Sequence, residues 1–506
     1  MKNLPIGIST FEEIVRDNYI YVDKTEYVFK LINRGKYYFL SRPRRFGKSL
    51  FLSTLKSIFQ GDKELFKGLY IYDKYDFETY PVIHINFNDN LGESANLEKS
   101  ILMNFNRCEK ELKISCANKD YLPAYFEELI QKAYEKTGKK VVVLIDEYDK
   151  PITDQINNTD KMNKHRDLLR NIYSVIKGSD YYIRFCFLTG VTKFSRVSIF
   201  SGLNNLTDIS LIPDFDAVCG YSHEELYRDF EDYLKGVDRE KLAYWYDGYN
   251  FYGENVYNPF DILLFFNSGN LYRNYWFETS TPTFLIKLIQ KRQYYLPKLE
   301  NLEVNERLLN SFDIENINIE TLLFQSGYLT IKKITEDYKG YTYILDFPNF
   351  EVRNSFNEYI FSQISNLENI DYQDHTRQAF LDCNMELLKE NLYRLFASIP
   401  YRERKIHTYE GYYANIIFTH FKTIGLDINC EERTNKGRID LVVHTKDYVF
   451  LIEFKVGLKN ALEQIKSKGY DEKYRGKKII MLGINLDETE RNISSFEWEE
   501  KVLIND

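Results

Sequence analysis

Cysteine is scarce in this chain of 506 residues, and its six cysteines are scattered without paired metal-ligand spacing. That pattern argues against a cysteine-based zinc module and against a small disulfide-stapled fold. No run approaches the roughly eighteen apolar residues of a membrane span, and residues 1–10 lack the hydrophobic core of a signal peptide. We therefore expect a soluble cytoplasmic protein with free thiols.

The chain also lacks an excess of basic residues, internal repeats and low-complexity tracts. Its net charge of −8 excludes a surface that is positive overall, so any nucleic-acid contact must come from a local patch. The hydrophobic fraction of 44% is typical of globular proteins. A chain of this length is too long for one core and predicts about two to four domains.

A stretch typical of a phosphate-binding loop spans residues 41–50, Ser-Arg-Pro-Arg-Arg-Phe-Gly-Lys-Ser-Leu. It follows an apolar run that predicts a strand, and it opens a helical pattern. In that context the helix N-terminus binds phosphate, Lys48 contacts the β and γ phosphates, and the Ser49 hydroxyl ligates Mg²⁺. The residues predicted to bind ATP here are Arg44, Arg45, Phe46, Gly47, Lys48, Ser49 and Leu50.

The loop departs from the usual pattern at one position. Arg42 stands where the first glycine is expected, so the first turn must be made differently, and Pro43 supplies some of the rigidity. A basic helix start that contains Gly-Lys-Ser by chance is the alternative interpretation.

A second motif, Val-Val-Val-Leu-Ile-Asp-Glu-Tyr-Asp-Lys-Pro at residues 141–151, favours the nucleotide interpretation. Its unbroken aliphatic run predicts a strand that is buried on both faces of a parallel sheet. Ligands of such sheets bind at the carboxyl ends of the strands, where Asp146 and Glu147 emerge. We expect Asp146 to hold Mg²⁺ and Glu147 to polarise the attacking water, although such a pair is often only a helix cap.

A further predicted strand, residues 182–189, ends in Thr189. Phosphate loop, acidic strand and then a strand with a polar end is the order of the glutamate-using branch of P-loop ATPases, in which Thr189 would sense the γ phosphate. A cap is the alternative for Thr189. Arg196 is a candidate arginine finger toward a neighbouring nucleotide in a homo-oligomer, although a solvated arginine is the simpler interpretation. Near the N-terminus, Asp23 or Thr25 is predicted to cap a helix rather than to contact a base.

The C-terminal hundred residues carry a second chemical constellation. Two β-rich runs, 437–445 and 448–456, are joined by a turn at 446–447, and this register places Asp440 opposite Glu453. Directly opposed side chains have Cβ atoms about 4.5 to 5.5 Å apart. Lys455 lies on the same face as Glu453. Two acids and one amine suit a Mg²⁺ site for phosphodiester hydrolysis, with Asp440 and Glu453 as ligands and Lys455 activating water.

Two helices flank this hairpin. Glu410, in a helix predicted over 408–421, is a further candidate metal ligand, and Gln464, in a helix over 459–468, would hold the site from the other side. Nearby lysines with Tyr470 and Tyr474 form a candidate stripe for a nucleic-acid backbone. The alternatives are an exposed, salt-bridged hairpin and a solvated helix.

These motifs resemble the bacterial AAA-ATPase-like family. The matching stretches are residues 21–25, 42–49, 144–149 and 188–194, and Arg at position 42 is usual in that family. Its members commonly end in a PD-(D/E)XK nuclease domain, and Asp440, Glu453, Lys455, Glu410 and Gln464 fall at the motif positions. Ile439 replaces the usual proline before the aspartate.

The resemblance implies an α/β protein with a P-loop ATPase parallel sheet and a restriction-endonuclease-like C-terminal domain. We predict a P-loop domain at 1–215, a helical lid at 216–304, a winged helix at 305–366, a helical connector at 367–400 and a nuclease-like domain at 401–506. Within these domains we expect a long helical stretch over 97–136, a lid helix over 222–234, and a wing formed by strands over 323–331 and 341–345. The predicted function is ATP binding and hydrolysis with Mg²⁺-dependent cleavage of nucleic acid, DNA in the first place. The alternative is a nucleotide-regulated switch that binds DNA or a protein partner without cleavage.

Overall fold

The computed structural model describes most of the chain. The described residues are 2–88, 96–156, 158–193, 200, 203, 205–280, 285, 288–289, 291–292, 294–310, 318–338, 340–365, 371–398, 410–434, 437–457, 460–474, 477–487 and 492–502. Arg196 lies outside them, as does the side chain of Glu410.

The chain divides into two compact units. Unit 1 comprises Met1–Leu285 and Glu303–Val352, and unit 2 comprises Ile286–Leu302 and Arg353–Asp506. Residues 286–302, which the sequence assigned to the lid, therefore belong with the C-terminal half of the chain.

Unit 1 is built on a parallel five-stranded sheet whose strand order is β2-β3-β4-β1-β5. The strand that ends in Thr189, β4, lies between the strand before the phosphate loop and the acidic strand. The bounds of this part are α1 Phe11–Arg16, α2 Thr25–Arg34, β1 Tyr37–Ser41, α3 Lys48–Gln60, β2 Val82–Asn86, α4 Leu97–Leu112, α5 Leu122–Thr137, β3 Val141–Asp146, α6 Lys150–Thr153, α7 Thr159–Gly178, β4 Ile183–Gly190 and β5 Thr207–Asp208.

The central strands are buried along their whole length, as the aliphatic run predicted. Every residue of β3 and every residue of β1 is buried. Strands covered on both faces need apolar side chains at successive positions, which removes the alternation of a half-exposed strand. Because these strands are parallel, the carboxyl ends of β1, β3 and β4 lie at the same edge of the sheet.

One predicted element was wrong in its extent. The sequence suggested a single helical stretch over 97–136, whereas the structure has two helices, α4 and α5. Helix α4 ends at Lys113, which adopts a left-handed conformation with φ 54°, and α5 starts afresh with Pro123 in its first turn. Proline has no N–H to continue a preceding helix but is favoured at a helix start.

The region after the main sheet is not purely helical, contrary to the predicted lid. It contains a small antiparallel sheet in the order β6-β8-β7. Its elements are β6 Tyr221–Ser222, α8 His223–Asp229, α9 Arg239–Tyr246, β7 Tyr249–Asn250, β8 Asn255–Tyr257, α10 Pro259–Asn267 and α11 Tyr275–Ser280. The predicted helix to Leu234 ends early, at Asp229, after a capping box in which Ser222 and Glu225 bind each other's backbone N–H groups.

A helix and hairpin segment completes unit 1. Its elements are β9 Leu302–Asn305, α12 Glu306–Asn310, α13 Ile319–Ser326, β10 Thr330–Asp337 and β11 Gly340–Asp346. The strands form a sheet in the order β10-β11-β9, with β10 and β11 antiparallel. The predicted strand from Leu323 is thus helical up to Ser326 and becomes extended only at Thr330. A helix followed by a hairpin agrees with the predicted wing, while the winged-helix assignment itself stays a prediction.

Unit 2 contains a five-stranded sheet in the order β12-β13-β14-β15-β16, in which only the β14 and β15 pair is parallel among the described pairs. The elements that follow β11 are α14 Phe350–Ser365, α15 Asp371–Leu381, α16 Met385–Ser398, α17 Glu410–Thr423, β12 Asp427–Thr434, β13 Gly437–His444, β14 Tyr448–Val456, α18 Ala461–Lys468, β15 Lys478–Leu486 and β16 Ile493–Val502.

Short 3-10 turns cover Lys63–Phe66, Asp180–Tyr182, Pro213–Phe215, Leu296–Leu299 and Tyr470–Tyr474. No helix in the described part of the chain is long and apolar enough to span a membrane. Cys108, Cys116, Cys186, Cys219 and Cys383, the cysteines whose side chains are described, are free thiols, as their scattered positions suggested.

A buried pair of carboxyl groups lies inside unit 1. Asp261 in α10 and Glu351 in α14 are both fully buried, and the Trp276 backbone N–H donates to Glu351 Oε1 at 2.8 Å. Burial, the charge of Glu351 and a hydrogen bond with it raise the pKa of Asp261 far above its usual value. Two ionised carboxylates close together away from water are costly, so we expect this pair to share one proton.

Replacing Asp261 by Asn should make unfolding less dependent on pH. The folded state keeps a proton that the unfolded Asp261 releases above its pKa of about 3.9, so wild-type stability falls as pH rises, by up to about 1.4 kcal/mol per pH unit. We expect Asp261→Asn to gain stability relative to wild type from pH 5 to pH 8 in thermal and urea unfolding. The exposed Asp73→Asn is the control, and a constant difference between wild type and Asp261→Asn across this range would contradict the shared proton.

Candidate functional sites

The turn that lacks its first glycine is stabilised by the side chain that replaced it. Arg42 is 1% exposed and folds inward, where its guanidinium donates to the carbonyls of Ser41, Ser210, Phe215 and Asp216 at 2.7 to 3.1 Å. Burial lowers the pKa of Arg42 to about 10, so it stays charged at neutral pH. Arg42 thus ties the loop to the segment after β5, which explains how the turn forms without glycine.

Lys48 and the two acids meet at the edge of the sheet where β1, β3 and β4 end. Lys48 Nζ donates to the carbonyls of Arg42 and Pro43, each at 3.0 Å, and lies 3.6 Å from Glu147 Oε1. Asp146 lies behind, almost fully buried, and its Oδ1 accepts from the Thr189 hydroxyl at 2.5 Å. The structure therefore brings Lys48, Asp146, Glu147 and Thr189 together, with Thr189 contacting Asp146.

Sequence reasoning missed the second half of the acidic motif. Asp149 is buried and accepts from the backbone N–H groups of Val191 and Thr192 and from the Thr192 hydroxyl at 2.6 Å. Tyr148 donates to the Thr192 carbonyl at 2.8 Å. Burial and the charge of Glu147 raise the pKa of Asp149 to about 6. These two residues fasten the loop after β4, and the sequence signal was the Tyr-Asp that directly follows Asp146 and Glu147.

A cleft of about 560 Å³ opens beside the phosphate loop. Most of the predicted ATP-binding residues line it, together with parts of the chain that the sequence did not connect with the loop, namely residues 5 and 7–9 and the start of α10. The lining includes Arg44, Arg45, Gly47, Lys48, Ser49, Leu50, Glu147, Lys150, Pro259 and Phe260. Phe46 instead points inward, 1% exposed, with its ring packed edge-on against Tyr249 and Phe251.

The start of α3 suits an anion. Its N-cap, Gly47, is left-handed with φ 92°, and no side chain caps the helix. The first N–H groups of a helix have no intrahelical acceptor, so an uncapped helix start beside a lysine fits phosphate groups. A nucleotide triphosphate is therefore compatible with the residues present.

Residues of the Tyr21 to Thr25 motif line an apolar recess beside the phosphate loop. Ile20, Val22 and Pro259 are among the residues that line it. Lys24 binds both carboxylate oxygens of Glu225, at 2.7 and 2.6 Å, and the Asp23 carboxylate accepts from the Thr25 N–H that opens α2. The N-cap of α2 is Lys24, and neither Asp23 nor Thr25 as predicted, although Asp23 accepts from the first N–H of the helix. The Lys24 ion pair was not foreseen.

The second site lies on the β13 and β14 hairpin of unit 2. The register is the predicted one, since Leu441 pairs with Ile452 and His444 with Val449. One residue beyond that ladder, Asp440 Oδ2 accepts from the Phe454 N–H at 2.9 Å, and Glu453 Oε2 lies 3.5 Å from the Asp440 N–H. The two acids therefore lie side by side.

Glu453 is the buried centre of this site. It is 1% exposed, and its Oε1 accepts from Lys455 Nζ at 3.0 Å and from the Gln464 side-chain amide. Burial and the charge of Asp440 raise the pKa of Glu453 to about 7, while Lys455 opposes this shift. A cation between the carboxylates would relieve both effects, so a divalent ion fits the donor set.

One glycine positions the helix that carries Gln464. Gly483 in β15 pairs in register with Glu453 and faces the start of α18. A Cβ at position 483 would lie 2.3 Å from the Leu462 backbone nitrogen and 2.8 Å from its Cα, distances that real Cβ atoms do not show. Glycine thus lets α18 lie close enough for Gln464 to contact Glu453, a role that the sequence did not reveal.

Two parts of the predicted site need correction or lie beyond the described residues. Tyr470 and Tyr474 are buried, only 2% and 8% exposed, so neither offers a free ring to stack on nucleic acid. Glu410 begins α17, but its side chain is outside the described residues. Within the described residues, no group of three or more His, Cys, Asp and Glu side chains could hold a metal ion, so the candidate ligands among them are the two hairpin carboxylates.

The sequence matches two family models, one in each half of the chain. Residues 5–200 match a predicted AAA-ATPase, and residues 408–496 match the PD-(D/E)XK nuclease superfamily. The first match contains the phosphate loop and the acidic strand, and the second contains Asp440, Glu453, Lys455 and Gln464. The recognised family and the α/β fold of both regions are thereby confirmed.

A relative of similar length is an uncharacterised protein from the vnfD 5′ region of Azotobacter chroococcum mcd 1. It is 44% identical over 510 residues, which cover 98% of each chain. A structure of the Aeropyrum pernix ORC1 protein in complex with DNA aligns over 66% of this chain and 91% of that one, with 11% identity and a TM-score of 0.27. The chain belongs to the predicted AAA-ATPase family, and its C-terminal part matches the PD-(D/E)XK nuclease superfamily.

Proposed function

We propose that this protein binds and hydrolyses ATP in unit 1 and cleaves DNA with Mg²⁺ in unit 2. The observation that carries the nuclease half is the buried Glu453, which contacts an amine and an amide beside a second acid. The ATPase half rests on the convergence of Lys48, Glu147 and Asp146 at one edge of the sheet.

In the proposed nucleotide site, the phosphates lie at the start of α3 and the base occupies the apolar recess beside it. Lys48 already has its ammonium group at the loop, held by two carbonyls that can be exchanged for phosphate oxygens. Arg44 and Arg45 add positive charge along the cleft. Magnesium, which Ser49 and Asp146 would hold, would neutralise charge on the phosphates.

Glu147 is the proposed base for the attacking water. It lines the cleft, and its partner in the structure is the Lys48 ammonium at 3.6 Å. Nucleotide binding would draw Lys48 toward phosphate and leave the carboxylate to accept a hydrogen bond from water. Asp146 is fixed by Thr189, so the two neighbouring acids have separate tasks.

In the proposed nuclease site, the hairpin presents its acids and amine on one face. Asp440 and Glu453 would hold Mg²⁺, which would polarise the scissile phosphate and lower the pKa of bound water. Lys455 orients or deprotonates the attacking water, and Gln464 fixes the orientation of Glu453. Exposed lysines of the same unit, at positions 468, 473, 477 and 478, would contact the nucleic-acid backbone through charge alone. Lys478 pairs with Tyr448, five residues before Glu453 on β14, so this contact would lie away from the scissile phosphate.

The ATPase half predicts separable losses. Lys48→Ala should weaken ATP binding at least about tenfold because charged hydrogen bonds to phosphate are lost. Glu147→Gln should keep binding but reduce kcat on the order of a hundredfold or more. Isothermal titration and phosphate release measure the two effects. Lys56→Ala, on the same helix but paired with Glu111, is the control, and full hydrolysis by Glu147→Gln would disprove the assigned base.

The nuclease half predicts Mg²⁺-dependent cutting that Asp440→Asn abolishes. Wild-type protein is incubated with duplex DNA, single-stranded DNA and RNA, with and without ATP, and the products are resolved on gels. Asp447→Asn, an exposed acid in the turn of the same hairpin, should cut as wild type does. Binding of DNA without cleavage on any substrate would instead favour the nucleotide-regulated switch.

Gly483→Ala should impair cleavage through Gln464. The added methyl group pushes α18 away from Glu453, and misplacement by 1 Å can cost about a hundredfold in rate. We expect kcat to fall by at least about tenfold with KM for DNA nearly unchanged, as for Gln464→Ala. In the Gln464→Ala background the glycine change should add little. If Gly483→Ala lowers kcat equally in the wild-type and Gln464→Ala proteins, Gly483 acts only through stability, which thermal unfolding measures separately.

A further inference from the structure

The helix and hairpin segment, β9 to β11, packs against both loops of the proposed nucleotide site. Gln325, in the last turn of α13, is only 4% exposed. Its Oε1 accepts from the Lys193 backbone N–H at 2.8 Å, and its Nε2 donates to the Leu309 carbonyl at 3.2 Å. One side chain therefore ties α13 to the loop that follows β4.

That loop directly follows the end of β4, which carries Thr189. Between Thr189 and Lys193 the chain is bound to Asp146 through the Thr189 hydroxyl and to Asp149 through Thr192. The acidic motif holds the loop from one side, and Gln325 holds its far end. A shift of the loop in response to nucleotide would therefore strain or release the bond to Gln325.

The same segment contacts the phosphate loop by a second route. Gly327 ends α13 in a left-handed conformation with φ 93°, and a Cβ there would lie 2.7 Å from Pro43 Cβ. Tyr328 packs edge-on against Trp276 at 5.1 Å between ring centres, and the Trp276 indole N–H donates to the Arg44 carbonyl at 3.2 Å. The chain between Gln325 and Tyr328 thus reaches both loops.

From these contacts we propose that Gln325 is a positioning residue for the nucleotide site and that it makes α13 and the β10–β11 hairpin responsive to nucleotide. The inference rests on the proposed ATP site. Nucleotide that fixes the loop after β4 also fixes its bond to Gln325, and β10 begins only five residues after Gln325, at Thr330. Binding coupling is reciprocal. If ATP changes the affinity of a partner for the hairpin by some factor, that partner changes the affinity of the protein for ATP by the same factor.

The chain offers a matched control on the same helix. Thr321 lies one turn before Gln325, is 1% exposed, and donates a buried hydrogen bond to the Leu308 carbonyl at 2.7 Å. Its hydrogen bonds join it to Leu308 and to Asn318, which precedes the first turn of α13. Thr321→Val therefore removes a buried hydrogen bond from α13 without touching the link to Lys193, whereas Gln325→Met removes that link and keeps the side-chain volume.

The experiment measures ATPγS affinity with Mg²⁺ and amide hydrogen exchange of residues 330–338 and 340–346 in the full chain. For wild type and Thr321→Val we expect nucleotide to slow exchange of the hairpin at least about threefold. For Gln325→Met we expect affinity to fall about tenfold, since the Lys193 N–H loses its acceptor, and the protection of the hairpin to disappear.

The outcomes separate the two claims. Absence of ATPγS binding by wild type overturns the proposed ATP site and this inference with it. Tight binding with the same hairpin protection in wild type and Gln325→Met overturns the inference alone. So does a loss of affinity in Thr321→Val equal to that in Gln325→Met, because the effect would then come from weakened packing of α13.

Discussion

Buried charge that must find a partner determines the local path of this chain. Arg42 is enclosed and uses four carbonyl groups, and Lys48 uses two carbonyls together with Glu147. An unpaired charge away from water costs far more than an ordinary hydrogen bond contributes, so the backbone must arrange its acceptors around each ion. Arg42 therefore anchors the phosphate loop from within to the segment after β5.

The same constraint explains what the sequence could and could not predict. The strands of the main sheet follow from unbroken aliphatic runs, and the 441–444 register of the hairpin follows from a two-residue turn. These are local signals. The partners of Arg42 and Lys24 lie about 170 to 200 residues away, and no periodicity connects them. The same holds for Gln325 and Lys193, 132 residues apart.

Close approach of backbones was the other feature hidden from the sequence. Gly483 and Gly327 resemble any other glycine in their local context, yet each lies where a neighbouring chain leaves no room for a methyl group. Helix boundaries failed for a related reason. The break between α4 and α5 depends on a left-handed Lys113, whose conformation composition does not reveal. Tyr470 and Tyr474 were predicted to belong to a nucleic-acid-binding stripe because lysines flank them, but their rings complete an apolar cluster.

The chain solves the problem of two adjoining acids in two different ways, and the difference separates structure from chemistry. Asp261 and Glu351 are sealed from solvent, and a shared proton removes one charge. At the hairpin, Asp440 is partly exposed, and Glu453 faces an amine and an amide that favour its ionised form. A pair that is sealed from solvent is not expected to bind an ion. The free energy needed to remove water from the ion would exceed the free energy gained from its interaction with the two carboxylates. A pair that is open on one side and supplied with donors is accessible to a cation. This is the physical reason why the phosphodiester chemistry is proposed at Asp440 and Glu453, while Asp261 and Glu351 belong to the core.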